Sequence, residues 1–167
     1  IELIPVFNLY EEYWRTYINT RNYERHFIGE GASSVEYLIS EGAEILGHIE
    51  RSIIGPGVFV GPNTTIRDSI IMRECKIGGN VVIERSIIGE RCRIGNEVQI
   101  GVGETAKSLL NPDIYSFDLA VVAGGSSIPR KVTIGKNTVI SGETMSSDYT
   151  DGKLESGGYI IKAGEAK

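Results

Sequence analysis

Aliphatic residues recur in this chain every six positions, in runs of three: Ile54, Val60 and Ile66, then Ile71, Ile77 and Ile83, then Ile88, Ile94 and Ile100. Within a run the step is six, and between runs it is five, so the pattern repeats every seventeen residues. A helix would show a period of 3.6 and a simple hairpin strand a period of 2. Six, taken three times per repeat, describes a coil with three flat sides and three corners. Laid out on that period, the sequence forms columns: Ser52, Ser69 and Ser86; Ile53, Ile70 and Ile87; Gly61, Gly78 and Gly95; and a small-residue column of Val58, Cys75 and Cys92. Gly61, Asn63, Gly78, Asn80, Gly95 and Asn96 are expected at corners, where positive φ is tolerated. The 21 glycines of the chain suit a fold with many such corners.

One coil of this kind cannot bury its own aliphatic stripe. Stacking coils about 4.8 Å apart joins the backbones in parallel sheets and aligns the isoleucine columns inside. The predicted fold class is therefore all-β, a parallel β-helix. Two outward columns alternate in charge: Glu50, Arg67 and Glu84, and beside them Arg51, Asp68 and Arg85. Their expected effect is on register, since like charges directly opposite are unfavourable. Upstream the pattern persists with irregular spacing through Ile39, Ile45 and Ile49. It breaks after Gly101 and returns at Val122, Ile128, Ile134 and Ile140. The predicted organisation is a helical connector over 1–28, a β-helix over 29–161 with an excursion loop at 102–121, and a tail over 162–167. In the connector, Asn8 and Glu11 can form a capping box, which places Tyr10, Tyr13, Trp14, Tyr17 and Ile18 on one side of a short helix. Towards the C-terminal end, 148–161 reads as a hairpin, with Thr150-Asp151-Gly152-Lys153 as its tight turn and Tyr159-Ile160-Ile161 as a strand.

Composition limits the functions open to such a chain. A net charge of -5 provides no attraction to nucleic acid or to an anionic membrane. No apolar run reaches about 18 residues and no signal-peptide pattern opens the sequence, so a cytoplasmic location is expected. Two cysteines, Cys75 and Cys92, make no disulfide scaffold and are expected as buried free thiols. They provide no zinc site. The first residue is Ile1, so a fragment of a longer protein is expected.

The phrases Ile77-Gly78-Gly79-Asn80-Val81-Val82 and Ile94-Gly95-Asn96-Glu97-Val98-Gln99 resemble the hexapeptide-repeat superfamily. That resemblance implies a left-handed β-helix; the period alone does not choose a hand. A narrower likeness rests on Glu12-Tyr13-Trp14, Leu38-Ile39-Ser40-Glu41-Gly42-Ala43, Ser52-Ile53-Ile54-Gly55, Asp68-Ser69-Ile70-Ile71-Met72, Asn111-Pro112-Asp113-Ile114-Tyr115 and Ser127-Ile128-Pro129. Across 9–161 the chain resembles the C-terminal half of the glucose-1-phosphate adenylyltransferase family. The resemblance implies an assembly and regulatory module of an enzyme that makes ADP-glucose from ATP and glucose 1-phosphate for glycogen or starch synthesis. It implies a separate N-terminal nucleotidyltransferase domain as partner, magnesium bound there, homo-oligomerisation, and a phosphorylated metabolite as effector. Photosynthetic members carry activator-binding lysines at positions matching Glu90 and Gly124, so activation by 3-phosphoglycerate through such lysines does not carry over.

No catalytic residue or cofactor is assigned within this chain, because the family's glycine-rich nucleotide loop has no counterpart in it. Arg51, Arg85, Arg130 and Lys131 are the candidate effector site, as an anion patch. Two other readings stand beside the main one: a hexapeptide acyltransferase, and a subunit of the mannose-1-phosphate guanylyltransferase type. A purely structural binding module is a third. An acyltransferase needs a histidine base, and the candidates are His26 and His48, with His48 and Glu50 expected on opposite faces. The connector's aromatic side and the loop residues Leu109, Leu110, Tyr115, Phe117 and Leu119 point to self-association.

Overall fold

A computed structural model describes residues 23–162. The seventeen-residue period is its organising distance. Each coil carries one short strand on each of three faces, and every strand pairs in parallel with its equivalent in the neighbouring coils. The first face stacks Phe27–Ile28, Glu44–Ile45, Phe59–Val60, Lys76–Ile77, Arg93–Ile94 and Ser127–Ile128. The second stacks Ser33–Val35, His48–Glu50, Thr65–Arg67, Val82–Glu84, Gln99–Ile100, Thr133–Ile134 and Lys153–Leu154. The third stacks Leu38–Ile39, Ile53–Ile54, Ile70–Ile71, Ser86–Ile88, Ala120–Val122, Val139–Ser141 and Tyr159–Ile161. This is the all-β parallel helix expected from the repeat. The irregular upstream spacing also resolves: Ile39, Ile45, Ile49 and Ile54 each end or centre a strand, with Ile39 paired to Ile54 and Ile45 to Val60.

The predicted isoleucine columns fill the interior. Ile45, Ile49, Ile54, Ile66, Ile71, Ile77, Ile83, Ile88 and Ile100 are fully buried. Val58, Cys75 and Cys92 line one inner corner, and both thiols are free. The Cys92 sulfur beside it, together with burial, holds the Cys75 thiol well above the ordinary range, which keeps it protonated and inert. The serine column is also internal. Ser52, Ser69 and Ser86 donate to the carbonyls of Glu50, Arg67 and Glu84 at 2.6–2.7 Å, and the Ser52 and Ser69 oxygens accept from the next serine's N–H at 3.1 Å. A hydroxyl ladder thus satisfies backbone groups at a corner where the sheet pattern is interrupted.

The corners differ from expectation in one respect. Positive φ falls on Asn63, Asn80 and Glu97, not on Gly61, Gly78, Gly95 or Asn96. Gly61, Gly78 and Gly95 are required instead by contact between coils: a Cβ there would lie 2.6 Å from the Gly78 carbonyl carbon, 2.8 Å from the Asn96 nitrogen and 2.6 Å from the Arg130 nitrogen.

Three boundaries shift. The connector was expected through residue 28, but Phe27–Ile28 already pairs with Glu44–Ile45 as the opening strand. The rest of the predicted connector helix, through residue 22, and the tail beyond Lys162 lie outside the described residues. The loop was expected to run to residue 121, yet Ala120 and Val121 already pair with Ser86 and Ile87. The expected hairpin at 148–161 is a further coil. The turn at Thr150–Lys153 forms, with Asp151 and Gly152 at positive φ, but Lys153–Leu154 and Tyr159–Ile161 pair in parallel with the coil before them.

Two substitutions test this packing. Ile77→Asp should unfold the chain, because Ile77 sits buried between Val60 and Ile94. It removes about 1.5–3 kcal/mol of apolar burial and places an unpaired carboxylate in the core at a further cost of several kcal/mol, against a typical total stability of about 5–15 kcal/mol. Loss of the β-sheet circular dichroism signal is the expected readout. Gly101→Ala should lower the melting temperature and destabilise by more than about 1 kcal/mol, since Gly101 has φ +78 and a Cβ there would overlap the Glu84 carbonyl oxygen.

Candidate functional site

The corner between the second and third faces is an ionic ladder. Arg67 donates to Glu50 at 2.8 Å and to Glu84 at 2.9 Å, bridging three successive coils. Arg51 holds Asp68 through two bonds of 2.7 and 3.0 Å and also contacts Glu50. Arg51, Asp68 and Arg85 occupy left-handed backbone positions with φ of 43, 50 and 42. The Arg67 guanidinium lowers the Glu50 pKa, and the Arg51 guanidinium lowers that of Asp68. Of the two alternating columns read from the sequence, Glu50, Arg67 and Glu84 are joined by ion pairs at the one-coil spacing, and in the second Arg51 pairs with Asp68 while Arg85 turns to the excursion loop. Solvent screening leaves each such pair little direct stabilising effect, so their main effect is on register.

This ladder decides where the four candidate cations stand. Arg51 and Arg85 share that corner, two coils apart, with Asp68 between them. Arg51 is engaged by two carboxylates, and Arg85 donates to the Phe117 carbonyl at 2.7 Å, anchoring the excursion loop. Arg130 and Lys131 lie on a different corner, between the first and second faces. Both are exposed, and Lys131 stands 4.0 Å from Glu97. The fold thus brings the four together as two separate pairs and not as one patch. Glu90 and Gly124, the positions matching the activator lysines, meet at the third corner, where the Gly125 N–H donates to the Glu90 carbonyl at 2.7 Å and Glu90 pairs with Arg73 at 2.8 Å.

His48 and Glu50 do not point to opposite faces. Two residues apart on a strand, they share one face, as a period of two requires. The His48 Nε2 lies 3.7 Å from Glu50, and its Nδ1 lies 2.5 Å from the Ser33 hydroxyl in the adjacent strand. Glu50 is already shared by Arg67 and Arg51, which leaves it a poor partner for activating the imidazole. His26 is exposed beside the opening strand.

The excursion loop builds the deeper surface. It leaves at Gly101 and folds back along the coils that follow it. Leu109 donates to the Gly157 carbonyl at 2.8 Å, Thr105 to Asp118 at 2.7 Å, and the Asn137 amide to the Ala106 carbonyl at 2.8 Å. One cleft of about 480 Å³ opens between Val102–Ala106 and the strands at Thr133 and Lys153–Leu154. A second, of about 430 Å³, is lined by Lys107, Ser108, Asp113, Tyr115 and Asn137. The Asn137 Oδ1 is the one buried side-chain oxygen without a hydrogen-bond partner among the described residues. Asn137 was not among the residues singled out from the sequence. Its burial depends on a loop whose path no periodicity encodes. Among the described residues no group of three or more His, Cys, Asp or Glu side chains converges as a metal set, and no helix is long and apolar enough to cross a membrane.

Comparison with known proteins follows the same line. The family model for the GlmU-like C-terminal hexapeptide matches residues 25–110. A glucose-1-phosphate adenylyltransferase of Lachnospira eligens is 47% identical over 165 residues, which is 99% of this chain and 39% of that protein. The Thermotoga maritima enzyme of the same name is 46% identical over 158 residues, 95% of this chain and 37% of its own length. That of Acetivibrio thermocellus is 33% identical across the whole chain, covering 39% of the relative. The chain thus spans under two fifths of these relatives. Among solved structures, a GDP-perosamine N-acetyltransferase of Caulobacter crescentus aligns over 84% of this chain and 54% of its own, at 14% identity and a TM-score of 0.33. On the family match, which runs from the start of the first coil into the excursion loop and covers more than half of the chain, the chain belongs to the GlmU-like C-terminal hexapeptide family.

Proposed function

We propose that this chain serves as the C-terminal β-helix domain of a sugar-1-phosphate nucleotidyltransferase of the glucose-1-phosphate adenylyltransferase type, acting in assembly and regulation and not in the chemical step. The observation that carries this reading is the coverage: relatives of that name match the chain end to end while the chain accounts for only 37–39% of them. The remaining part of such an enzyme would bind ATP, glucose 1-phosphate and magnesium, form ADP-glucose and release pyrophosphate. A cytoplasmic location accompanies this reading, as does the synthesis of glycogen or starch.

Regulation by a phosphorylated metabolite belongs to the same proposal. Of the two cation pairs, Arg130 and Lys131 are the better placed, because Arg51 and Arg85 are committed to carboxylates and to the loop. Homo-oligomerisation is the second element. The loop exposes Leu109 and Phe117, each 78% accessible, together with Ile114. Apolar side chains this prominent gain by packing against another copy.

Three measurements test the reading. With ATP, glucose 1-phosphate and magnesium, the 167-residue chain should show no turnover above background, and turnover would overturn a purely assembling role. A chimera in which this chain replaces the matching 158 residues of the Thermotoga maritima enzyme should fold and retain adenylyltransferase activity. A folded but inactive chimera would count against the assignment. Light scattering at micromolar concentration should give a mass above 18.2 kDa, reduced toward that value by Leu109→Ser with Phe117→Ser. A constant monomer mass would remove self-association from the proposal.

A further inference from the structure

At the corner between the second and third faces, successive coils present Arg51, Asp68 and Arg85 in the left-handed conformation, all three exposed. The register of the third face, Ser86 to Ala120 and Val121 to Val139, puts Asn137 at the same corner two coils beyond Arg85. Its φ of 53 matches theirs, but the excursion loop covers it and leaves it 5% accessible. A neutral amide thus stands where a buried charge would be costly. The amide nitrogen has a role, donating to the Ala106 carbonyl at 2.8 Å and so anchoring the loop. The Oδ1 meets no donor among the described residues. Other asparagine oxygens are used. Asn80 accepts from the Asn63 amide at 3.4 Å, Asn96 from the Gly79 N–H at 2.9 Å and Asn111 from the Asp113 N–H at 3.1 Å. A buried acceptor without a donor is costly, so the orphan oxygen of Asn137 points to a donor from outside the chain.

Asn137 forms part of the wall of the cleft of about 430 Å³ beneath the loop, a size within the range of about 300–1,000 Å³ that small-molecule sites occupy. The other polar groups on that wall have hydrogen-bonding capacity to spare. Among the described residues Lys107 and Asp113 make no ion pair and the Tyr115 hydroxyl no hydrogen bond. The Ser108 hydroxyl accepts from the Leu110 N–H at 3.4 Å and keeps its own proton free. The set is mixed in sense. The free oxygens of Asn137 and Asp113 accept, Lys107 donates, and Ser108 and Tyr115 can do either. An anion such as phosphate would leave Asn137 Oδ1 unfilled and be repelled by Asp113. A cation would be repelled by Lys107. Hydroxyl groups, which donate and accept at once, suit every member of the set. The Tyr115 ring adds an apolar surface of the kind against which the C–H face of a sugar ring packs.

We propose that this cleft binds a neutral polyhydroxylated ligand of the sugar type, with Asn137 Oδ1 and the Asp113 carboxylate accepting from its hydroxyls and Lys107 and Ser108 donating to them. One side chain then does two things: the Asn137 nitrogen holds the loop that forms the wall, and its oxygen reads the ligand. A site with unfilled acceptors discriminates sharply against molecules that lack the matching donors. The site is separate from Arg130 and Lys131, which lie on the corner between the first and second faces. It stands on the loop and its cleft alone, and so holds or fails independently of the nucleotidyltransferase reading.

Glucose and maltose are the probes, and the 167-residue chain is titrated with each while its proton–nitrogen correlation spectrum is recorded. The Asn137 side-chain amide and the backbone amides of Lys107, Ser108 and Tyr115 should shift together and saturate, and inorganic phosphate at the same concentrations should leave them in place. Saturation by either sugar supports the proposal, and the tighter of the two shows whether a single ring or a chain end is held. Asp113→Ala changes an exposed side chain and should weaken binding about tenfold, the loss of one hydrogen bond to a charged group. Asn137→Gly tolerates the left-handed corner, removes the oxygen and should abolish saturation, with the circular dichroism of the β-helix unchanged. Arg130→Ala, at the other corner, should bind as the parent does. Three results would overturn the proposal: no saturable shift with either sugar, which would leave the oxygen to a water molecule; the same amides answering to phosphate and not to sugar; or undiminished sugar binding by both the Asp113 and the Asn137 variants.

Discussion

Everything in this molecule hangs on the backbone ladder between consecutive coils. Each short strand donates to and accepts from the coil above and below, so that Gly61 reaches Ile77, Gly78 reaches Ile94 and Gly95 reaches Ile128 at 2.9 Å in each case. Strands of two or three residues could not stand alone. Stacked at one spacing on three faces, they form sheets of six and seven strands. The ladder survives even where the chain leaves it: the loop after Gly101 lengthens the covalent path, yet Ala120 rejoins directly against Ser86. Loop closure of this size costs little, and the stacked coils on either side supply the template for return.

The same spacing organises what lies outside and inside the ladder. Inside, isoleucine meets isoleucine and serine meets serine. Outside, arginine meets carboxylate along Glu50, Arg67 and Glu84. Each contact is small, but all would be lost together by a slip of one residue, which would also turn the isoleucines out to solvent. The charged corner is thus better understood as a register device than as a binding site. It consumes two of the four cations that a reading of composition would offer to a phosphorylated ligand.

Surface relief on this scaffold is concentrated where the repeat is broken, at the excursion loop with its two clefts. The regular coils present flat surfaces with paired charges. The loop can therefore change in length without disturbing the ladder.

The fold was legible in the sequence because a period of six, three times in seventeen residues, has a single physical solution, and each inward position is chemically uniform from coil to coil. Ile54, Ile71 and Ile88 could be stacked on paper. Their hand could not, since the period is blind to chirality, and the left hand rested on a resemblance. The corner glycines were legible as corners, but the reason for Gly61, Gly78 and Gly95 was not: coil-to-coil contact and not local dihedral angle excludes a side chain there. The extra coil at 153–161 was hidden because a tight turn at Asp151-Gly152 has the same local signature in a hairpin and in a solenoid, and only the parallel partner strands distinguish them. The candidate cations were legible as charges but not as neighbours. Whether Arg51 and Arg130 share a surface depends on which of three corners each occupies and on which carboxylates arrive one coil away. Sequence determined the repeat, the core and the ionic columns, because these are relations at a fixed distance along the chain. Tertiary structure alone decided the path of the loop, the burial of Asn137 and the partition of the cations, because these depend on contacts between segments whose separation no period records.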